Sequence, residues 1–319
     1  AGGELIEAPV EENPPVIPAA APAREKSSKL KIAGIVLAVL LLLAAAGLLV
    51  YFYILAPFLN KQLYERVSSM YDKDAGTSEV VSGGGIYPEG MLVQFSTLYS
   101  ANSDIRGWIH IEDTGINYPV VQSRMEGFYD NHDFYKKGSS YGVPYFSGQA
   151  DFTNYQYQDR SLVIYGNNTG DGQMFSQLAE YGALEYLQAH PVVEMDTIYR
   201  NNKWKIFAVL VVSTLDEQEE NFDFTRNIFA GEEDFLQYVQ QLRDRSLFDT
   251  PTTVEAGDNL LMLTTTASSE YGFPGARIVV AARQVRQDED ETNDLSTAVE
   301  NEDVVMPRQW ETGTDGSSG

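Results

Sequence analysis

Cysteine is absent from this 319-residue chain. No disulfide, thiolate metal site, iron–sulfur cluster or cysteine nucleophile can be built from it. Histidine is scarce, with three residues, His110, His132 and His190. A histidine-rich metal centre is therefore not expected, and no metal or other cofactor is indicated. Positive charge is short too: 22 bases stand against 46 acids, a formal net charge of −24. Phosphate backbones would repel such a chain, which excludes nucleic acid as a general partner.

Charge of either sign is missing from Ile32 to Leu59. The apolar heart of this run, Ile32–Leu55, is 24 residues long. At a helical rise of about 1.5 Å per residue it reaches roughly 36 Å, enough to cross a bilayer with some tilt. A secretory signal has a shorter apolar core and ends at a small-residue cleavage site. This run ends instead in Tyr51, Phe52, Tyr53 and Pro57, which read as an interfacial belt. The expectation is one uncleaved transmembrane helix over 31–59. Arg24, Lys26, Lys29 and Lys31 precede it, and only Lys61 and Arg66 follow closely. The positive-inside rule then puts the N-terminus in the cytoplasm and everything after about residue 60 outside the cell membrane. A large outer region without cysteine fits a Gram-positive surface.

Residues 1–30 are rich in Pro, Ala and Glu and are expected to be a disordered cytoplasmic tail. Residues 287–319 hold ten acids and one base, Arg308, so 286–319 reads as a solvated acidic tail. Its acids are not spaced like a calcium loop. Asn60–Asp74 has Leu63, Val67 and Met70 at helical spacing, and Gly76–Gly85 reads as a linker, giving a juxtamembrane segment over 60–87. Helices are further expected at Glu89–Ser103, Gln173–Ala189 and Glu232–Leu247. Short runs rich in β-branched and aromatic residues predict strands at Gly107–Ile111, Ile116–Val121, Ser161–Tyr165, Trp204–Ser213, Asn259–Thr265 and Arg277–Arg283. Strands with interspersed helices and no regular βαβ alternation point to a mainly β fold, a barrel with helical decorations.

Three stretches carry more specific information. They are SDIRGWIHIEDTGINYPVVQS (Ser103–Ser123) with FYDNHDF behind it, LVIYGNNTGDGQMF (Leu162–Phe175), and LLMLTTTASSEYGFPGAR (Leu260–Arg277) running into IVVAAR. In this order and spacing they resemble the class B sortases, over about residues 88–284. The resemblance implies an eight-stranded sortase-like β-barrel over 88–285. It also implies a membrane-anchored transpeptidase whose cysteine attacks a peptide carbonyl, whose histidine transfers protons, and whose arginine steadies the oxyanion. In that family the cysteine closes an LTLSTC strand and the histidine sits in IYGHN.

This chain departs from the pattern at both reacting positions. The histidine position holds Asn167, whose amide cannot exchange protons at useful pH. On strand alternation the cysteine position is Thr266; a shift of one residue would make it Ala267. Arg277 matches the family arginine. Thr266 as a replacement nucleophile would need an adjacent base. His132 reads as structural, His110 as solvent-facing and His190 as a partner of the last carbonyls of its helix. Thr264, Thr265 and Arg277 remain as groups that could offer hydroxyls and a planar cation to an extended peptide, although Arg277 could equally be a structural ion pair. Tyr141 and Tyr145 fall in a loop, KKGSSYGVPYFSG, where the family usually has GSIF-D. The expectation is a catalytically inactive sortase-like protein that binds a sorting-signal peptide, a pilin or a partner sortase. The alternatives are a cysteine-independent transpeptidase or hydrolase using Thr266 with Arg277, and a purely structural envelope module.

Overall fold

A computed structural model of the chain describes residues 27–73, 79–81, 85–215 and 222–308. It divides into two units, Ala1–Leu55 and Ala56–Gly319. In the first, helix α1 (Ser27–Val50) continues into a π-helical turn at Tyr51–Leu55. The helical run Lys31–Ser68 is long and apolar enough to cross a membrane by length and composition.

The second unit opens with α2 (Ala56–Ser68) and α3 (Ser96–Ala101), the latter preceded by a 3-10 turn at Val93–Phe95. Strands follow at β1 (Ile105–His110), β2 (Asn117–Val121), β3 (Tyr145–Phe146) and β4 (Ser161–Tyr165). After α4 (Leu184–Ala189) come β5 (Val192–Thr197) and β6 (Lys203–Ser213). Helix α5 (Glu232–Asp244) and the short β7 (Phe248–Asp249) lead to β8 (Leu260–Thr266). A one-turn α6 (Ser268–Tyr271) precedes β9 (Ala276–Gln284), and β10 (Val299–Glu300) pairs with β7. Eight strands close into a barrel in the order β1-β2-β3-β4-β8-β9-β6-β5; a barrel with helices is what the sequence pattern predicts, and eight strands is what the family resemblance implies.

Strand alternation explains the two layers of the core. Leu162, Ile164, Leu261, Leu263, Ile278 and Val280 point into the barrel. Val163, Leu260, Met262, Val279 and Ala281 point outward, beneath α5. Helix α5 covers them with Phe235, Tyr238, Val239 and Leu242, an i, i+3, i+4, i+7 stripe. A bulge between Ile206 and Ala208 keeps Trp204, Ile206 and Val209 inside while Phe207 and Ala208 both face the helix layer. Two-sided burial is why β6 reads as an almost unbroken apolar run.

Several expectations need correction. The helix foreseen at Glu89–Ser103 is cut short because Met91 and Val93 exchange backbone hydrogen bonds with Glu79 and Val81, and Gly90 sits at φ +77°. Gln173–Ala189 is not one helix: a 3-10 stretch, Ser176–Gly182, is separated from α4 by extended backbone at Ala183. Strands β3 and β5 escaped the sequence reading. The acidic stretch after 286 does not stay off the fold: Leu295 and Ala298 are buried in the core, and Asn293 donates to the carbonyls of Pro191 and Ile206. The foreseen tails at 1–26 and 309–319, and most of the Gly76–Gly85 linker, lie outside the described residues.

That acidic stretch also neutralises a buried cation. Arg283, 2% exposed, pairs through both terminal nitrogens with Glu289 at 2.5 Å, and Lys205 reaches the same carboxylate at 2.8 Å. These bonds from Arg283 and Lys205 hold the Glu289 carboxyl far below the usual carboxylate range. The unfolded carboxyl titrates near pH 4.3, so the stabilisation is complete above that value and is lost as pH falls toward the depressed native pKa. Glu289→Gln is expected to cost about 2 kcal/mol at neutral pH, because it leaves the buried Arg283 with only the longer ion pair to Asp258 (4.0 Å). Thermal melts from pH 7 down to pH 3 should show the wild type losing part of this advantage below about pH 4.3, with a shallower decline in the variant.

Candidate functional site

The outer face of β4, β8 and β9 continues past the residues that α5 covers. Tyr165, Thr264, Thr266 and Arg277 occupy that continuation, since Thr266 pairs with Arg277 and Tyr165 with Thr264 in the sheet register. Thr266 ends β8 and is exposed, whereas Thr264 and Thr265 are fully buried. The Thr264 hydroxyl donates to the carbonyl of Ile278 (2.9 Å) and accepts from Arg277 Nε (3.1 Å). Thr265 faces the other way and donates to the carbonyl of Gly166 (2.7 Å). The structure therefore gives these hydroxyls to the fold: Thr264 holds the arginine, and Thr265 fastens β8 to the turn after β4. Ala267, the alternative cysteine position, is fully buried, and its N–H bonds the carbonyl of Ala276.

Arg277 is half-buried. Its guanidinium lies over the Tyr165 ring, 5.3 Å from the centroid. Tyr145 stacks on Tyr165 at 5.5 Å and donates to Asp130 (2.8 Å). Burial pulls the Arg277 pKa down, against the opposing pull of Tyr165, Tyr145 and Asp130. Burial, reinforced by the bond to Asp130, raises Tyr145, so the phenol stays neutral. No carboxylate forms a salt bridge with Arg277 among the described residues. Beside this aromatic pair opens a cleft of about 210 Å³, lined by Met125, Glu126, Asp130, Tyr145 and Tyr165 among others. The loop that departs from the family pattern thus supplies one wall, through β3 and Tyr145. Sequence reasoning flagged that loop but not the stacking, because the partner Tyr165 lies on a different strand.

Asn167 stands on the turn after β4. Gly166 beside it accommodates the Phe175 ring, since a Cβ there would lie 2.4 Å from that side chain. The Asn167 amide donates to the carbonyls of Asp130 (2.7 Å) and Tyr141 (3.2 Å). Both of its N–H groups are thereby committed to backbone. Asn168 donates to the carbonyl of Thr266 (3.0 Å) and to Glu270 (2.9 Å), so the second residue of the pair reaches the end of β8. Burial pushes the Glu270 carboxyl up, but bonds from Ser269 and Asn168 outweigh it and leave a weaker base than an ordinary carboxylate. Among the described residues neither an imidazole nor a carboxylate hydrogen-bonds the Thr266 hydroxyl.

The histidines are occupied elsewhere. His132 stacks on Phe128 (4.0 Å) and its Nδ1 bonds the Phe128 carbonyl (2.7 Å), a structural role. His110 meets Glu194 (3.1 Å) on the β1–β5 face rather than standing free in solvent. His190 reaches back to the carbonyl of Glu112 (3.0 Å), not to the last carbonyls of α4.

The closed eight-stranded barrel with α5 over the outer face of β8 and β9 is a fold shared with sortases. Solved structures bear this out. The Staphylococcus aureus sortase B–substrate complex matches with a TM-score of 0.61 at 24% identity, covering 73% of this chain and 99% of that one. A Bacillus anthracis protein described as similar to sortase B matches at 0.60 and 25%, covering 72% and 98%. In sequence, sortase B of Listeria monocytogenes is 28% identical over 227 residues, 71% of this chain and 85% of that protein. Sortase B of S. aureus is 26% identical over 200 residues, 63% and 78%. No family model matches the chain. In fold and in sequence the chain is thus similar to the sortase B proteins.

Thr264→Val tests the role given to that hydroxyl. It would strip Arg277 Nε of its acceptor and the Ile278 carbonyl of a donor, an expected loss of about 1–2 kcal/mol. A lower melting temperature, with a shifted Arg277 Nε–H resonance, is the expected result; Thr266→Val, at an exposed position, should leave both nearly unchanged.

Proposed function

We propose that this protein is a catalytically inactive class B sortase-like protein that grips an extended peptide along Tyr145, Tyr165, Thr266 and Arg277, with the buried Thr264 holding Arg277 from behind. The reading has Ile32–Leu55 as a single-pass anchor, the N-terminal side in the cytoplasm, and the barrel domain of 88–285 on the outer face of a Gram-positive cell. The occupant would be a sorting-signal peptide, presented free, on a pilin or by a partner sortase. Support for the peptide comes from the S. aureus relative, whose structure is a complex with substrate. Support for the anchor comes from the helical run at Lys31–Ser68 and the excess of bases before it.

One observation carries the inactive half of the reading. The family resemblance calls for cysteine at Thr266 or, one residue on, Ala267, and for histidine at Asn167; the Thr266 hydroxyl hydrogen-bonds no base among the described residues, Ala267 has no reacting group, and the Asn167 amide is spent on two backbone carbonyls. A threonine hydroxyl needs such a base to attack a carbonyl, because its own pKa leaves almost no alkoxide at neutral pH. What survives is a donor set. Arg277 is held by Thr264 and Tyr165 with its outer nitrogens unpaired among the described residues, so it can meet peptide carbonyls without first breaking an ion pair.

The test is a titration of the full chain with sorting-signal peptides, followed by melting temperature and intact mass. The expected outcome is a stabilising shift with no covalent adduct and no cleaved peptide. Arg277→Ala should weaken binding about tenfold, the equivalent of one charge-assisted hydrogen bond, while Thr266→Ala should retain it. Turnover that Thr266→Ala abolishes would establish the threonine enzyme instead. A complete lack of response to every peptide would favour the structural envelope module.

A further inference from the structure

The candidate groove is held from behind by a helix that lies outside the barrel sheet. Helix α2 is the first element of the second unit and follows the apolar run directly in sequence. Tyr64, 5% exposed, donates its hydroxyl to the carbonyl of Gly142 (2.8 Å) and packs edge-on against Tyr118 (5.3 Å). Asn60 donates to Gln173 (2.9 Å), and Gln173 donates back to the carbonyl of Pro57 (3.2 Å). Tyr118, braced by Tyr64, accepts from the backbone N–H of Met174 (3.1 Å).

These contacts fall on two loops, and Asn167 joins the same two. Gly142 follows Tyr141, whose carbonyl accepts from the Asn167 amide. It lies so close that a Cβ there would stand 2.9 Å from Asn167 Nδ2, and its φ is +65°. Gln173 and Met174 lie in the loop that begins at Gly166, where Phe175 N–H bonds the Asn167 carbonyl (3.0 Å). Met174 sits at φ +52°, a left-handed backbone that a non-glycine residue keeps only when its surroundings hold it. The Tyr118 hydroxyl on its N–H is one such hold.

We infer that α2 is a positioning splint for the groove: through Tyr64 and Asn60 it sets the two loops that fix the residue at the family's histidine position. Tyr64 and Asn60 are positioning residues in this scheme, since neither touches the cleft beside Tyr145 and Tyr165. The inference rests on loop geometry and stands or falls independently of whether the groove takes a peptide.

Tyr64→Phe keeps the ring and its packing on Tyr118 and removes only the bond to Gly142. Asn60→Ala removes the second tie. Each would be made in the full chain in detergent micelles and followed by backbone hydrogen exchange and by the side-chain amide resonances of Asn167. The expected result is exchange about fivefold faster at Val143 and Phe175 in each variant, the effect of one lost hydrogen bond on a local opening. Amides at the centre of the β6–β9 pair, such as Val209 and Val280, should stay within twofold of wild type, and the Asn167 amide resonances should shift. Unchanged exchange at Val143 and Phe175 would overturn the inference. So would uniform acceleration that includes β6 and β9, because α2 would then stabilise the whole fold rather than place the loops.

Discussion

The structure depends on burying both faces of one four-strand segment, β4-β8-β9-β6. Closing the barrel hides the inner faces of these strands but leaves their outer faces, from Val163 to Val279, as an apolar sheet in contact with water. Helix α5 removes most of that exposure with a single stripe of four side chains. A thirteen-residue helix cannot cover the full length of the strands. The uncovered remainder, beyond Met262 and Val279, is where the residues turn from aliphatic to Thr264, Thr266, Tyr165 and Arg277. The candidate site is thus the part of the outer face that lies past the covering helix.

That arrangement also accounts for the threonine run. Side chains on the barrel side of β8 are aliphatic until Thr265, and those on the helix side until Thr264. Where the packing helix stops, a hydroxyl is more useful than a methyl because it satisfies neighbouring backbone and cation. Thr264 does this for Ile278 and Arg277, and Thr265 for Gly166. The same economy applies to Asn167, whose two N–H groups join separate loops. Thr264, Thr265 and Asn167 thus serve as joints of the scaffold.

Much of the barrel was legible in the amino-acid sequence because its long strands are buried on both faces and read as continuous apolar runs; β4, β6, β8 and β9 are found within a residue or two of the expected ends. Helix α5 was legible from its acidic first turn and the arginines near its end, although it stops at Asp244 rather than Leu247. The two-residue strand β3 was not, since Tyr145 and Phe146 carry no periodicity and owe their strand conformation to Tyr165 and Ile164 across the sheet. The acidic stretch after 286 misled because charge dominates its composition. Its structure comes from a few residues: Asn293, Leu295 and Ala298, whose partners are distant in sequence, and Glu289, which joins nearby Arg283 to distant Lys205. At the site, Thr264, Thr266, Asn167 and Arg277 could be named in advance from motif positions. Their division of labour could not, because it turns on hydrogen-bond partners such as the carbonyls of Asp130, Tyr141 and Ile278 that no motif specifies.

The strand order carries a further consequence. β8 and β9 are inserted between β4 and β6, so both of those earlier strands present an open edge until residue 284 has joined the sheet. A polypeptide delivered N-terminus first would therefore wait, unsealed, for its last two staves, and those staves bring Thr266 and Arg277 with them. Closing the cylinder and bringing Thr266 and Arg277 into place both require the chain through residue 284.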